Sequence, residues 1–402
     1  MLANTSAPGR TSVALRIMTI YGTRPEAIKV APIIKAIEQD PHLENVIVVT
    51  GQHREMLDQV NTVFGIVPDH DLDIMANGQS LNGIVAKVIS GVDAILEGER
   101  PDAVIVQGDT STVMGTAVAT FNRHIPVLHL EAGLRSGDIN SPFPEEANRK
   151  LTSQIAALHL APTSTSKSNL TREDISENDI VVTGNSVIDT LLFATANLDV
   201  AFDDERLEQL RQSATVDGTG RILLVTAHRR ENLGSAMKDI GEAVAELARK
   251  YPDLTVVFPI HKNPKVRASI RPAVKGLDNV LLIEPLPYAQ FTRLLSLAHI
   301  VLTDSGGVQE EAPSLGKPVL VMRENTERPE AVVAGTVKLI GTHRQRLVDE
   351  VALLLDSAEV YAGMANAVNP YGDGRAAERT VNAIKWKFAG AERPADFIGH
   401  AG

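Results

Sequence analysis

Residues 222–232 read ILLVTAHRREN, a five-residue run suited to a buried strand that stops abruptly in a charged turn. So short a run of Ile, Leu and Val is the mark of a parallel strand covered by helices on both faces. The chain repeats the arrangement throughout. Twelve strands are expected: Arg16–Tyr21, Val46–Thr50, Ala103–Val106, Pro126–Leu130, Ala157–Ala161 and Ile180–Thr183 in the first half, then Ile222–Thr226, Thr255–Pro259, Val280–Ile283, Ile300–Thr303, Pro318–Met322 and Val337–Ile340. Amphipathic stretches at Pro25–Gln39, Ser80–Leu96 and Asn232–Lys250 read as helices. Connections of roughly 10 to 25 residues suit crossovers rather than hairpins. Six strands, a break near Gly184–Asp204, and six more predict an α/β protein of two doubly wound, Rossmann-like domains facing across a cleft.

Composition narrows the function. A chain of 402 residues accommodates two domains of roughly 150 to 200 residues. With 44% hydrophobic and 22% charged residues it has the composition of a water-soluble globular protein. No apolar run approaches the roughly 18 residues of a spanning helix. The opening MLANTSAPGRTS lacks the apolar core of a signal peptide, so a flexible tail and a cytoplasmic location are expected. Without cysteine, disulfides, thiolate zinc sites and cysteine nucleophiles are excluded together. Thirty-nine Lys and Arg against fifty Asp and Glu give a formal charge of −11, which argues against nucleic acid or an anionic membrane as partner. An anionic ligand would need a local cluster of cations.

Open α/β sheets bind ligands at the carboxyl ends of their strands. The turns found there are GTRPE (22–26), GQHRE (51–55), QGDT (107–110), EAGLRSGD (131–138), AHRREN (227–232), IHKNP (260–264), DSGG (304–307) and RENTERPE (323–330). Asp304-Ser305-Gly306-Gly307 precedes an expected helix from Val308, where free N–H groups suit a phosphate. It also reads as an ordinary Ser305 cap with Glu310 and Glu311 favouring the first turn. Thr23-Arg24-Pro25-Glu26 opens a helix with proline where the first turn tolerates it, and Arg24 and Lys29 read as a second anion clamp, where a lone Arg at a helix start reads as a solvated surface charge. His228-Arg229 and His261-Lys262 put cations after consecutive strands. Asp109, Glu131 and Glu145 supply carboxylates near these clamps, where burial and neighbours can tune a pKa for acid and base work; Glu145 reads equally as a first-turn acid.

Other signals are false or missing. Gly372–Ala377 fits G-x-G-x-x-A but has no strand before it, and Walker, H-E-x-x-H and G-x-S-x-G patterns are absent. No metal and no redox cofactor is expected.

Taken in order, YGTRPEAIK, GQHREML, QGDTSTVMG, HLEAGLRSGD, FPEEANR, TGNSVIDT, AHRREN, EPLPY and LTDSGGVQEEAPSLGKPVL resemble the non-hydrolysing UDP-N-acetylglucosamine 2-epimerase family from about Arg16 to Lys387. The resemblance implies a GT-B fold, a homodimer, and a final helix near Gly374–Phe388 that crosses back to the first domain. The expected division is then a tail at 1–14, an N-terminal domain at 15–185 plus 373–390, a C-terminal UDP-binding domain at 186–372, and a tail at 391–402. Arg24, Lys29, His228, Ser305 and Gly306 match positions around the diphosphate, Glu311 the ribose-binding acid, and Phe291 a position near the uracil. Gly307 and Arg328 complete the expected substrate-binding set.

Asp109, Glu131, Glu145 and His228 match the family's catalytic residues. The implied reaction eliminates UDP across C1 and C2 to 2-acetamidoglucal and adds it back after a proton returns to the other face of C2, giving UDP-N-acetylmannosamine. The sequence leaves open which carboxylate is base and which acid. Gln52, His53, Gln79, Arg229 and His261 match an activator site for a second UDP-N-acetylglucosamine, with Glu55 and Gly78 departing from the pattern. A hydrolysing epimerase and a GT-B UDP-sugar glycosyltransferase are the alternatives. The family's products feed cell-envelope polysaccharides.

Overall fold

The computed structural model describes residues 14–51, 54–76, 78–197, 200–217, 220–229, 232–326 and 328–399. The opening tail expected at 1–14 lies outside these except for its last residue, and Gln52 and His53 lie outside them altogether.

The chain divides into two units, Met1–Ser186 with Arg375–Phe397 and Val187–Gly374 with Ile398–Gly402. The first is built on β1 (Leu15–Tyr21), β2 (Leu43–Val49), β3 (His70–Asp71), β4 (Ala103–Gln107), β5 (Val127–Leu130), β6 (Leu158–Ala161) and β7 (Ile180–Val182). All pair in parallel, in the order β3-β2-β1-β4-β5-β6-β7. The second is built on β8 (Arg221–Thr226), β9 (Leu254–Pro259), β10 (Val280–Ile283), β11 (Ile300–Thr303), β12 (Val319–Val321) and β13 (Val337–Leu339), in the order β10-β9-β8-β11-β12-β13. Each sheet is therefore doubly wound, and each is Rossmann-like. The twelve expected strands are present to within a few residues at their ends. The additional strand, β3, is two polar residues long and carries no periodicity to read.

The apolar runs are buried because both sheet faces are covered. In β8, Leu223 and Val225 pack with Met237, Ile240 and Val244 of the helix Ser235–Lys250. Ile222 and Leu224 point the other way, toward Leu294 and Leu295 of the helix Tyr288–Leu297. Each such side chain contributes roughly 1.5–3 kcal/mol. The expected helix start at Asn232 moves to Ser235, because Gly234, at φ +100°, is the last residue outside the helix. The break expected near Gly184–Asp204 contains a helix of its own, Ser186–Asn197.

The helix Ala376–Ala389 belongs to the first unit. Lys385 pairs with Asp40 at 2.7 Å and Lys387 with Asp179 at 2.5 Å. Beyond it, residues expected to form a closing tail lie against β7. The Phe397 amide donates to the Val182 carbonyl at 2.7 Å, and Asp396 accepts from the Val182 amide at 3.0 Å. Among the described residues no helix is long and apolar enough to cross a membrane.

Two histidines lie inside the first sheet as register partners, His129 on β5 and His159 on β6. Burial pushes the first imidazole down to about 3 and the second down to about 4. In the unfolded chain each titrates near 6.5. Protons therefore bind preferentially to the unfolded state between these values, so stability present above pH ~6.5 is lost as pH falls through the folded values. Urea unfolding at a series of pH values is expected to show falling stability from about pH 6.5 to 4. His159→Leu should make that slope shallower; an unchanged slope would contradict the assignment.

Candidate functional site

In both sheets the strand order reverses direction once, between β1 and β4 and between β8 and β11. Loops leaving adjacent strands at such a point separate and leave room for a ligand. Several of the expected site residues lie in the turns beside these points, while Glu131 and Glu145 follow β5 and Gln79 and Phe291 lie elsewhere in their units.

At the first reversal, Thr23 caps the helix Arg24–Gln39, and Glu26 answers in a capping box. One Glu26 oxygen accepts from the amides of Gly22 and Thr23, both at 2.7 Å, and the other accepts from the Thr110 hydroxyl at 2.5 Å. Glu26 is buried, and burial raises its pKa against the lowering effect of these donors. This carboxylate thus ties the turn after β1 to the turn after β4. Arg24, half-buried at the start of the helix, makes no ion pair or hydrogen bond among the described residues. Lys29, one turn on, is engaged differently: its Nζ donates to Glu131 Oε1.

Glu131 follows β5 and has φ +62°, in the left-handed region that side chains disfavour. Its other oxygen accepts from Gln107 Nε2. Asp109, after β4, pairs with Arg149 Nη2, and its backbone carbonyl accepts from Asn148 Nδ2 at 2.9 Å. Arg149 also contacts the fully buried Glu146 at 3.0 Å. Glu145 opens the helix Glu145–Ile155 beside these two, and its carboxylate has no partner among the described residues. Asp109 and Glu131 thus stand at the ends of neighbouring strands, each held by a cation. Gln107, Arg149, Glu146 and Glu26 complete the group, although the sequence reading did not select them. Gln79, assigned to the activator set, spends its amide on its own loop, accepting from Ala76 N at 3.0 Å and donating to Ile74 O at 2.9 Å.

At the second reversal the organising group is Asp304, fully buried after β11. It accepts from the His228 and Arg229 amides, both at 2.9 Å, from Asn232 Nδ2 at 2.9 Å, and lies 2.9 Å from His228 Nδ1. Burial opposes its ionisation, but the His228 and Arg229 donors outweigh that effect and its pKa lies below the ordinary range. His228 is left with its other edge toward solvent, and its ring lies 6.4 Å from that of His261. Arg229 Nε reaches the Asp304 carbonyl at 2.9 Å.

The helix after Ser305 is Gly306–Glu311, starting two residues earlier than expected and under two turns long. Ser305 lacks a side-chain cap bond, so its hydroxyl is not spent as the ordinary cap that the sequence also allowed. A side-chain carbon at Gly306 would fall 2.5 Å from Arg328 Nη1, so only glycine lets this guanidinium lie against the turn. Arg328 is held there by Glu310 at 2.7 Å. Glu311 lies beside Gly307. Phe291 packs into the same apolar cluster as Val308. Next to it, Gln290 lines a cavity of about 370 Å³ with Asp203, Ile260, Ile283 and Leu286, and its Oε1 is buried with no partner among the described residues. Among the described residues, none of the expected site residues lines that cavity.

Comparison with known proteins identifies related chains. The family model for UDP-N-acetylglucosamine 2-epimerase matches residues 35–385. The UDP-N-acetylglucosamine 2-epimerase of Escherichia coli (strain K12) is 49% identical over 371 residues, covering 92% of this chain and 98% of its own. A crystal structure of a putative UDP-N-acetylglucosamine 2-epimerase from Listeria monocytogenes superposes with a TM-score of 0.90 at 45% identity, covering 96% of this chain and 100% of that one. The Neisseria meningitidis UDP-GlcNAc 2-epimerase, solved bound to UDP-GlcNAc, gives 0.80 at 46% identity, covering 92% and 99%.

Replacing the Asp304 carboxylate deprives several buried N–H groups of their charged acceptor. Asp304→Asn is expected to cost about 2–4 kcal/mol in urea unfolding, as buried donors facing an amide lose part of their bonding. A change below about 0.5 kcal/mol, the usual range for ordinary surface substitutions, would deny Asp304 this role.

Proposed function

Because the chain belongs to the UDP-N-acetylglucosamine 2-epimerase family, we propose that it interconverts UDP-N-acetylglucosamine and UDP-N-acetylmannosamine without releasing free sugar. The observation that carries this reading is the set of acids in the first unit: Asp109 and Glu131 at neighbouring strand ends, each beside a cation, with Glu145, which has no partner among the described residues, at the start of the helix that supplies Arg149. Transfer to an acceptor has no need of three carboxylates, whereas moving a proton from one face of C2 to the other needs a base and an acid.

In the forward direction one carboxylate takes the C2 proton, the C–H electron pair forms the C1=C2 bond, and the C1–O pair leaves with the β-phosphate of UDP. The products of this half are 2-acetamidoglucal and UDP. Return of a proton to the opposite face of C2 and attack of the UDP oxygen on C1 complete the inversion. Asp109 and Glu131 act at C2, and Glu145 supports one of them.

The C2 proton is only weakly acidic, so much of the barrier falls to stabilising UDP as it leaves. Arg328 beside Gly306 takes the diphosphate with Ser305 and Gly307, and Arg24, which makes no ion pair among the described residues, is a cation of the first unit open to an anionic ligand. His228, fixed by Asp304, assists departure of the β-phosphate. Lys29, at a position that matches the diphosphate site, is paired with Glu131 and holds that carboxylate. Glu311 takes the ribose, and Phe291 lies by the uracil.

Proton NMR with UDP-N-acetylglucosamine in heavy water tests the reading. Deuterium at C2 together with UDP-N-acetylmannosamine is expected. Free N-acetylmannosamine with UDP would replace it by the hydrolysing reaction, and no epimer at all would overturn it. Asp109→Asn and Glu131→Gln should each slow turnover by roughly 100 to 10,000 fold. UDP affinity, measured by calorimetry, should change little in either variant.

A further inference from the structure

His129 is wholly buried on β5, two residues before Glu131. Its Nε2 lies 2.8 Å from the carbonyl oxygen of Gly108, the residue before Asp109. A carbonyl only accepts, so Nε2 carries the proton and donates it. Nδ1 is then a bare lone pair, and it has no partner among the described residues. The Gly108 amide in turn donates to the Leu130 carbonyl at 3.0 Å. Both ends of Gly108 are therefore tied to β5, at His129 and Leu130, immediately ahead of Glu131. Gly108 has φ +82° and Glu131 φ +62°, so the chain enters both carboxylate-bearing turns through left-handed backbone.

We propose that His129 is a positioning residue for the epimerisation: its Nε2–H bond to the Gly108 carbonyl holds the turn bearing Asp109 in register with the turn bearing Glu131. The inference rests on the epimerase reading above, since it gives the two carboxylates one reacting carbon to address. The ring holds geometry and does not move protons. Burial disfavours the imidazolium, and the titratable and charged groups around the ring, His159 on β6 with Arg135 and Arg149, disfavour it further. The bond to Gly108 works the other way without reversing the outcome.

Three replacements separate this role from packing and from acid–base work. A glutamine amide nitrogen reaches the place of imidazole Nε2, an asparagine amide reaches only that of Nδ1, and leucine fills space without a donor. The measurements are kcat and KM for UDP-N-acetylglucosamine by NMR, with UDP affinity by calorimetry and folding by circular dichroism. His129→Asn and His129→Leu should lower kcat about 10 to 100 fold, the scale of a small misplacement of reacting groups. KM and UDP affinity should stay within about twofold of the parent, since positioning acts on the chemical step. His129→Gln should recover most of kcat with the pH–rate limbs of the parent.

A folded His129→Gln as slow as His129→Leu, or full kcat in all three, would overturn the proposal. Nitrogen-15 NMR of the His129 ring in the parent protein decides the contact independently of activity. A neutral Nε2–H tautomer at pH 7 is expected, and an Nδ1–H tautomer or an imidazolium would refute it. If the parent does not epimerise the sugar, the functional reading falls, while this spectrum still reports whether the Gly108 bond exists.

Discussion

A carboxylate removed from water must gather N–H and O–H donors, and each sheet uses that demand to fix the loops at its point of strand reversal. Glu26 collects two amides from the turn after β1 and a hydroxyl from the turn after β4. Asp304 collects the amides of His228 and Arg229 with the Asn232 side chain, so a residue after β11 dictates the path of the chain after β8. An unmet buried donor or acceptor costs on the order of 1–3 kcal/mol, so loops held this way have few alternative conformations. Rigid backbone at these turns is what allows short side chains such as Asp109 and Ser305 to present their oxygens at fixed places.

The groups around Asp109 and Glu131 show a second economy. Lys29 lies against Glu131, Arg149 lies between Asp109 and Glu146, and Gln107 holds the remaining Glu131 oxygen. Several acids can share a small volume because cations are interleaved among them; without these, like charges would push one another toward protonation. Lys29 therefore belongs as much to the carboxylate network as to any anion clamp. Arg24 remains uncommitted among the described residues.

Much of this was legible in the residues. Short apolar runs ending in charged turns located the strands, because a parallel strand buried on both faces needs apolar side chains throughout. β3 escaped because two polar residues show no period. At the site, residues with obvious charge or special backbone, such as Arg24, Asp109, His228 and Gly306, stood out in their turns. Those that organise them did not. Glu26 was visible as the fourth residue of Thr23-x-x-Glu26, a capping-box pattern, yet the hydroxyl it takes from Thr110 is 84 residues distant. Arg149, Gln107 and Asp304 each lie in a quoted stretch, but their partners are set by which strands are neighbours, and sheet order is not written in any local pattern.

The left-handed backbone at Glu131 has an implication for engineering. Holding a residue with a Cβ in that region costs roughly 1–2 kcal/mol, a cost glycine does not carry. Against that cost stand the contacts of the Glu131 carboxylate with Lys29 and Gln107, which glycine would forfeit and leave two polar groups without their acceptor. Thermal selection at position 131 therefore weighs backbone strain against a polar network, and its outcome reports which of the two is larger.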